Sequence, residues 1–219
     1  MFELFNPGGE LRITTGNLPH WFQSGVTYFV TFRTEDSLPH DVADLWYRKR
    51  NDWLRRRGIE PSAKGWHAQL EQLPPEQRDK YHQEFSQDYL ALLDKGYGES
   101  VLRRSELAQV VADGLKHFDG ERYEVGDFVV MPNHVHLLVG LSGDTDIEQQ
   151  CYSWKKFTAM QINRKLGRSG RFWQEESFDH LVRSPESFER FREYIAHNGP
   201  SAGLHPDDYL HYVSVICTK

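Results

Sequence analysis

Two apolar segments, residues 122–130 and 134–141, are separated only by Met131-Pro132-Asn133. Segments of this length that are rich in valine predict strands, and proline followed by asparagine is typical of a turn. His134 and His136 lie two residues apart in the second segment, so their side chains point to the same side while Val135 points to the other. The chain therefore contains two strands joined by a short turn, with two imidazoles on one surface.

The flanking segments predict how these strands are covered. Residues 26–34 alternate and read as a strand, residues 100–118 and 146–166 carry apolar side chains at helical spacing, and a further strand is expected at 177–183. The order strand, helix, strand, strand, helix, strand is the ferredoxin-like pattern. We therefore expect an α+β fold in which an antiparallel sheet carries its helices on one face.

Residues 41–97 interrupt this pattern and predict a helical insertion within one domain that spans residues 1–219. Helices are expected at 41–57 and 75–95, with a loop from Gly58 to Pro74 between them. Five apolar side chains are expected to join the two helices: Trp46, Trp53, Tyr89, Leu92 and Leu93. The insertion either covers bound nucleic acid or is a packed decoration, and the sequence leaves both open.

Composition narrows the functional classes. The net charge is −6, which argues against a nucleic-acid partner unless the basic residues are segregated. They do cluster, in residues 48–50, 55–57, 103–104, 155–156 and 164–168, so a basic groove on an acidic body is compatible with the sequence. Cys151 and Cys217 have no cysteine partner at metal-binding spacing, which argues against a structural zinc site, and with no export signal the cytoplasm is expected.

A second candidate segment is the helix predicted from residue 184 onwards. Ser184 can cap the amide of Ser187, Pro185 suits the first helical position, and Gly199-Pro200 is expected to end the helix. Asn198 follows Tyr194 by four residues, so the carboxamide and the phenol lie on one helix face.

These residues suit one kind of chemistry. A phenol with a pKa of about 10 is a poor nucleophile at neutral pH and needs a nearby metal or base. An ion held by His134, His136 and the Asn198 oxygen would lie beside the Tyr194 hydroxyl. The alternatives remain open, since a His-x-His strand is often only polar surface and Asn198 can simply end a helix.

The chain resembles the REP-associated tyrosine transposases, a single-tyrosine branch of the HUH nucleases. The resemblance rests on the run from Val130 to Leu138, on the run from Phe172 to Asp179, on Glu193-Tyr194-Ile195 followed by Asn198, and on a first strand like Thr27 to Arg33. It implies that Tyr194 is a nucleophile that becomes attached to a DNA 5′-phosphate. It also implies that His134, His136 and Asn198 hold Mg²⁺ or Mn²⁺, and that the sheet is that of the HUH nucleases.

The resemblance further implies a transposase that cleaves and rejoins single-stranded or hairpin DNA of repetitive extragenic palindrome type. We expect a bacterial, nucleoid-associated and monomeric protein, with DNA contacts from the side chains Lys155, Lys156, Arg164, Lys165 and Arg168. Phe172, Trp154 and Trp173 are candidates for stacking on bases if they are exposed, although tryptophan is more often buried in the core. The lysine usual after the catalytic helix is absent, because residues 198–203 read Asn-Gly-Pro-Ser-Ala-Gly. A catalytically silent DNA-binding relative and a small-molecule metallohydrolase are the alternatives.

Overall fold

A five-stranded antiparallel sheet organises the chain in the computed structural model, which describes residues 2–15, 19–63, 65–87, 91–92, 95, 97–143, 145–175 and 177–215. A separate two-stranded hairpin precedes the sheet. The strands are β1 (Arg12–Thr15), β2 (Pro19–Phe22), β3 (Thr27–Arg33), β4 (Tyr123–Val130), β5 (His134–Leu141), β6 (Phe178–Leu181) and β7 (Leu210–Tyr212). The large sheet has the order β6-β3-β5-β4-β7, and every pair in it is antiparallel.

Helices cover both faces of the sheet. They are α1 (His40–Arg55), α2 (Trp66–Glu71), α3 (Pro75–Tyr81), α4 (Ser105–Lys116), α5 (Ile147–Leu166) and α6 (Pro185–Ser201), with short helical turns at His82–Gln87, Val101–Arg103 and Pro206–Asp208. Apolar residues of α4 and α5 pack with Val30, Val135 and Leu137. On the other face, Phe188 and Ile195 of α6 pack with Phe29, Val129 and Leu138 of the sheet. The alternation of strand side chains accounts for this division.

The α+β fold class and the antiparallel sheet are confirmed, and the order β6-β3-β5-β4 is that of a ferredoxin-like unit. The placement of helices on one face holds for α4 and α5, whereas α6 covers the opposite face because its apolar stripe matches Phe29 and Leu138. The edge strand β7 and the hairpin of β1 and β2 were not predicted from the sequence. Each has only three or four residues, too few for a clear alternating pattern.

The segment between β3 and α4 is helical and has its own apolar cluster. Trp46 and Trp53 of α1 pack with Trp66, Tyr81 and Phe85, as expected for contacts between the helices. The loop expected from Gly58 to Pro74 is wrong in part, because α2 lies within it and buries Trp66 and Leu70 against α1. Tyr89 and Leu93 lie outside the described residues, and the single-domain boundaries stay a proposal.

Along the described parts of the chain, the helices are all too short or too polar to cross a lipid bilayer.

Candidate active site

His134 and His136 lie at the centre of the sheet, on the face that α6 covers. His136 is opposite Thr31 of β3 and Val129 of β4, and His134 is opposite Arg33. Both histidines are buried, with exposed fractions of 1% and 0%. Their rings are 4.6 Å apart between centroids. The two side chains therefore point to the same side, as their spacing predicts. They are buried between the sheet and α6 and not exposed to solvent.

Hydrogen bonds fix the orientation of both imidazoles. The Asn133 Nδ2 atom donates to the Tyr97 carbonyl at 2.9 Å, so the Asn133 Oδ1 atom faces His134 Nδ1 at 2.7 Å. Because an amide oxygen can only accept, His134 carries its proton on Nδ1 and the lone pair on Nε2. The His136 Nδ1 atom lies 2.7 Å from Thr31 Oγ1, which leaves its Nε2 atom directed towards α6.

Burial keeps both histidines neutral. Desolvation lowers the pKa of His134 to about 3, an effect that the Asn198 side chain partly opposes and the positive charge of Arg33 increases. Desolvation also lowers the pKa of His136 well below 6.5, with the neighbouring His134 as the second cause. Neutral imidazoles are the form that binds metal ions.

Tyr194 reaches this pair from α6. Its hydroxyl lies 3.4 Å from the His136 Nε2 atom, and the two ring centroids are 5.0 Å apart. Phe29 provides the surface on which the helix rests, since its ring stacks on Phe191 at 4.3 Å and meets the edge of Tyr194 at 5.9 Å. The three-residue spacing of Phe191 and Tyr194 thus places the phenol beside the histidine.

Both ends of α6 are anchored. At its start, Ser184 Oγ accepts a hydrogen bond from Ser187 N at 3.2 Å and Ser187 Oγ accepts one from Ser184 N at 3.0 Å, which confirms the predicted cap. Further along, Arg192 Nε donates to the buried Asp127 carboxylate at 2.9 Å. Ser214, after β7, donates to the same carboxylate from its amide and its hydroxyl. Asp127 therefore joins β4, α6 and the segment after β7.

The predicted end of α6 at Gly199-Pro200 is wrong, because the helix continues to Ser201. Gly199 is buried within it, and its Cα lies so close to the Tyr209 ring that a methyl group there would overlap the ring. The glycine thus serves close packing and not helix termination. Asn198 is consequently a helical residue with a buried side chain, 3% exposed.

The residues fit a divalent ion that the sequence implies. Within the described residues no three His, Cys, Asp or Glu side chains cluster as metal ligands, so an amide oxygen would have to be the third donor. The Asn198 Oδ1 atom is buried and makes no hydrogen bond of normal geometry, although its side chain is close enough to affect the pKa of His134. A buried acceptor in this state costs stability unless something binds it. Two imidazoles and one such oxygen form a donor set for a divalent ion.

The side chains expected to contact DNA lie on α5 and just after it. This helix covers the sheet face opposite the histidines. Lys155 is buried and its Nζ atom donates to the carbonyls of Gln174 and Glu175, so the expectation that it lies at the surface is wrong. Arg168 forms an ion pair with Glu99 at 3.0 Å. Lys156, Arg164 and Lys165 are exposed and stay a prediction as DNA contacts.

The aromatic residues suggested for base stacking are also buried. Trp154 donates from Nε1 to the Tyr123 hydroxyl, and Trp173 donates from Nε1 to Thr158 Oγ1. Phe172 is 2% exposed. These side chains belong to the core beneath α5, so the stacking hypothesis is wrong for all three.

Sequence reasoning missed the residues that orient the site. Thr31 and Asn133 contact the histidines, and Asp127 holds α6 through Arg192. Asn133 had a signal, since it directly precedes His134. Thr31 and Asp127 had none of their own, because their roles depend on strand register.

Comparisons with known proteins find a family model that matches part of the chain. The family model of IS200-like transposases matches residues 99–198. Among solved structures, a REP-associated tyrosine transposase bound to a REP hairpin is 14% identical, with 90% of this chain and 93% of that chain covered and a TM-score of 0.48. A candidate transposase from Deinococcus radiodurans R1 is 15% identical, with 81% and 93% covered and a TM-score of 0.31. No curated protein matches by sequence.

Proposed function

We propose that the chain cleaves and rejoins single-stranded or hairpin DNA with Tyr194 as the nucleophile, a proposal supported by the match of its residues 99–198 to the family model of IS200-like transposases. The observation that carries the proposal is the Tyr194 hydroxyl, 3.4 Å from the Nε2 atom of a buried, neutral His136. The ring of Tyr194 packs against Phe29, and its hydroxyl is the group that would attack phosphorus.

In this proposal the Tyr194 oxygen attacks a phosphodiester. A bond forms between the phenolic oxygen and phosphorus, and the bond from phosphorus to the 3′ oxygen breaks. The proton lost by Tyr194 balances the proton gained by the leaving 3′ oxygen, so the products are a 5′-phosphotyrosine and a free 3′-hydroxyl. The reverse reaction rejoins the strand and needs no nucleotide cofactor, because the ester bond is conserved.

The residues that would hold a divalent ion are His134, His136 and Asn198. Such an ion, Mg²⁺ or Mn²⁺, would polarise the scissile phosphate and offset the charge that develops on it. Arg33 lies opposite His134 in the neighbouring strand and brings a positive charge to the same face. Thr31 and Asn133 would keep the imidazoles in the orientation that this arrangement requires.

We further propose that the protein works as a monomer in the bacterial cytoplasm, near the nucleoid. Its partner would be DNA of the hairpin-forming repetitive kind, the type bound by the solved REP-associated transposase. For the ion used in the cell, the proposal specifies a divalent cation and does not choose between Mg²⁺ and Mn²⁺.

The adduct tests this function directly. Wild-type protein incubated with labelled single-stranded or hairpin DNA and Mn²⁺ or Mg²⁺ should give a covalent protein–DNA species on a denaturing gel. Tyr194→Phe removes one oxygen and should abolish that species while leaving the melting temperature nearly unchanged. Tyr152→Phe is the matched control, because Tyr152 is 63% exposed on α5.

Two outcomes would contradict the proposal. An adduct of wild-type yield in Tyr194→Phe would assign the attack to another residue. DNA binding without any adduct in the wild-type protein would instead indicate a catalytically silent relative. Tyr123 is a poor control, because its hydroxyl accepts the Trp154 hydrogen bond in the core.

A further inference from the structure

A groove opens on the helical segment between β3 and α4, away from the Tyr194 site. It runs between the second half of α1 and the residues of α3 and the following turn, and its volume is about 680 Å³. It shares no residue with the site on the sheet. Its walls consist of Lys49, Asp52, Trp53, Arg56, Arg57, Gln77, Lys80, Glu84 and Phe85.

Positive charge is concentrated around the groove although the chain as a whole is acidic. Residues 48–57 contain six Lys and Arg side chains and one Asp, whereas the whole chain has a net charge of −6. Lys49 of α1 and Arg56, the residue that ends this helix, are seven residues apart and lie on one side of it, and Lys80 of α3 lines the same groove. Local charge of this kind attracts an anion regardless of the net charge of the chain.

The base of the groove is rich in hydrogen-bond donors. Trp53 is 8% exposed, and its Nε1 atom is buried with no acceptor among the described residues. The Arg57 guanidinium lies 3.4 Å over the Trp53 ring, donates from Nε to Gln77 Oε1 at 3.1 Å, and donates from Nη1 to the Trp53 carbonyl. A buried N–H group without an acceptor is costly, so the missing partner should be a hydrogen-bond acceptor.

The aromatic side chains of the groove are not available for stacking on bases. Trp53 is covered by Arg57 on one face and packs with Tyr81 at 5.3 Å and with Phe85 at 6.0 Å. The two carboxylates in the wall oppose an anion, but Asp52 lies 3.9 Å from the Arg55 guanidinium and four cations line the groove. The walls therefore suit a phosphate backbone and not a nucleobase.

We propose that this groove binds the sugar–phosphate backbone of a DNA strand, without sequence preference, as a second contact apart from the Tyr194 site. The inference rests on the proposed function to the extent that DNA is the partner. It gives the segment between β3 and α4 a role in holding DNA, where the sequence left a choice between that role and mere packing.

The test uses two double variants of the whole chain, each of which loses two positive charges. Lys49→Gln/Arg56→Gln removes two charges that line the groove. Arg48→Gln/Arg104→Gln removes two exposed positive charges that do not line it. Affinity for a labelled single strand is measured at several salt concentrations, and melting temperatures check that both variants fold.

The groove variant should bind more weakly, and its slope of log affinity against log salt should be shallower by about 1.4, as for two lost phosphate contacts on a single strand. The control should keep the wild-type slope, and both variants should still form the Tyr194 adduct at saturating DNA. Equal losses in both variants, or none in either, would overturn the inference. A third result would also overturn it: inorganic phosphate stabilises the wild type but not the groove variant, while the two proteins bind DNA equally well. The groove would then hold a small anion and not a DNA strand.

The two proposals fail in different ways. A wild-type protein that gives no adduct, yet binds DNA through Lys49 and Arg56, would refute the proposed function and leave this inference in place.

Discussion

At the scale of single residues, the burial of His134 and His136 has a measurable effect on stability. Both pKa values lie below 6.5 in the folded chain, and that of His134 is about 3. The unfolded chain therefore binds more protons than the folded chain as the pH falls through 6.5. The stabilising effect of neutral burial is fully present above pH 6.5 and is lost progressively towards pH 3.

For His134 we expect the free energy of unfolding to fall by about 1.4 kcal/mol per pH unit within this window, and His136 should add a loss in the same direction. Urea unfolding at pH 4.5, 5.5 and 7.5 measures the slope. The variant His134→Asn/His136→Asn should show a shallower slope, because it removes both titrating groups. Identical slopes in the two proteins would contradict the assignment.

Thr31 gives a second prediction at this scale. Thr31→Val removes the hydroxyl that lies 2.7 Å from His136 Nδ1 and keeps the branched shape that suits a strand. The His136 ring then loses its orienting partner, so adduct formation should fall about 10- to 100-fold. Any rise in melting temperature produced by Mn²⁺ should shrink in parallel.

Thr27→Val is the matched control for that change. Thr27 lies on the same strand, and its hydroxyl donates to the Glu3 carbonyl far from the histidines. It should leave the adduct rate unchanged. If both valine variants lose activity to the same extent, the effect belongs to β3 as a whole and not to the support of His136.

At the scale of elements, the contact between α6 and Tyr209 is the one that could not be predicted from the sequence, which indicates only that Gly199 ends the helix. Gly199→Ala normally favours a helix by about 1 kcal/mol. Here the added methyl group would meet the Tyr209 ring, so the variant should instead be destabilised by about 1–3 kcal/mol. In a Tyr209→Ala background the same change should be neutral or stabilising, and the double-mutant cycle measures the difference. Additive effects would rule out the contact.

The strands and helices that could be predicted are those with a long repeating pattern. Residues 122–141 and 146–166 gave β4, β5 and α5 almost to the residue, because burial on one side repeats over several turns or pleats. Asp146 adds a local signal, since its carboxylate accepts hydrogen bonds from the amides of Glu148 and Gln149. Strand β7 has no such pattern and owes its place to pairing with β4.

The candidate site also has parts that could be predicted from a local pattern and parts that could not. Local spacing brought His134 together with His136, and Tyr194 together with Asn198, because each pair lies within one element. The resemblance to a known family supplied the pairing of these two elements, which the sequence alone left open. The prediction that Lys155 is exposed is wrong, because an ammonium group next to an apolar helix face can be buried when backbone carbonyls accept its hydrogen bonds.

At the scale of the whole molecule, the histidines and Tyr194 come from one chain. If the proposed chemistry holds, each chain carries a complete site, so two inactive variants cannot repair each other. A mixture of Tyr194→Phe with His134→Ala/His136→Ala should form no adduct, although each variant alone still binds DNA. Recovery of adduct in the mixture would show that the tyrosine of one copy serves the histidines of another.

The Asp127 carboxylate, which joins β4, α6 and the segment after β7, bears on what happens between the two halves of the proposed reaction. A strand end attached to Tyr194 would be linked to a helix that is held firmly against the sheet and does not move with the DNA. Exchange of one DNA end for another would then depend on movement of the nucleic acid across a stationary protein surface. Asp127→Ala, or removal of the chain after Leu210, would weaken the attachment of α6 to the sheet. The DNA end bound to Tyr194 would then move more freely, and it would be lost more often than it is rejoined.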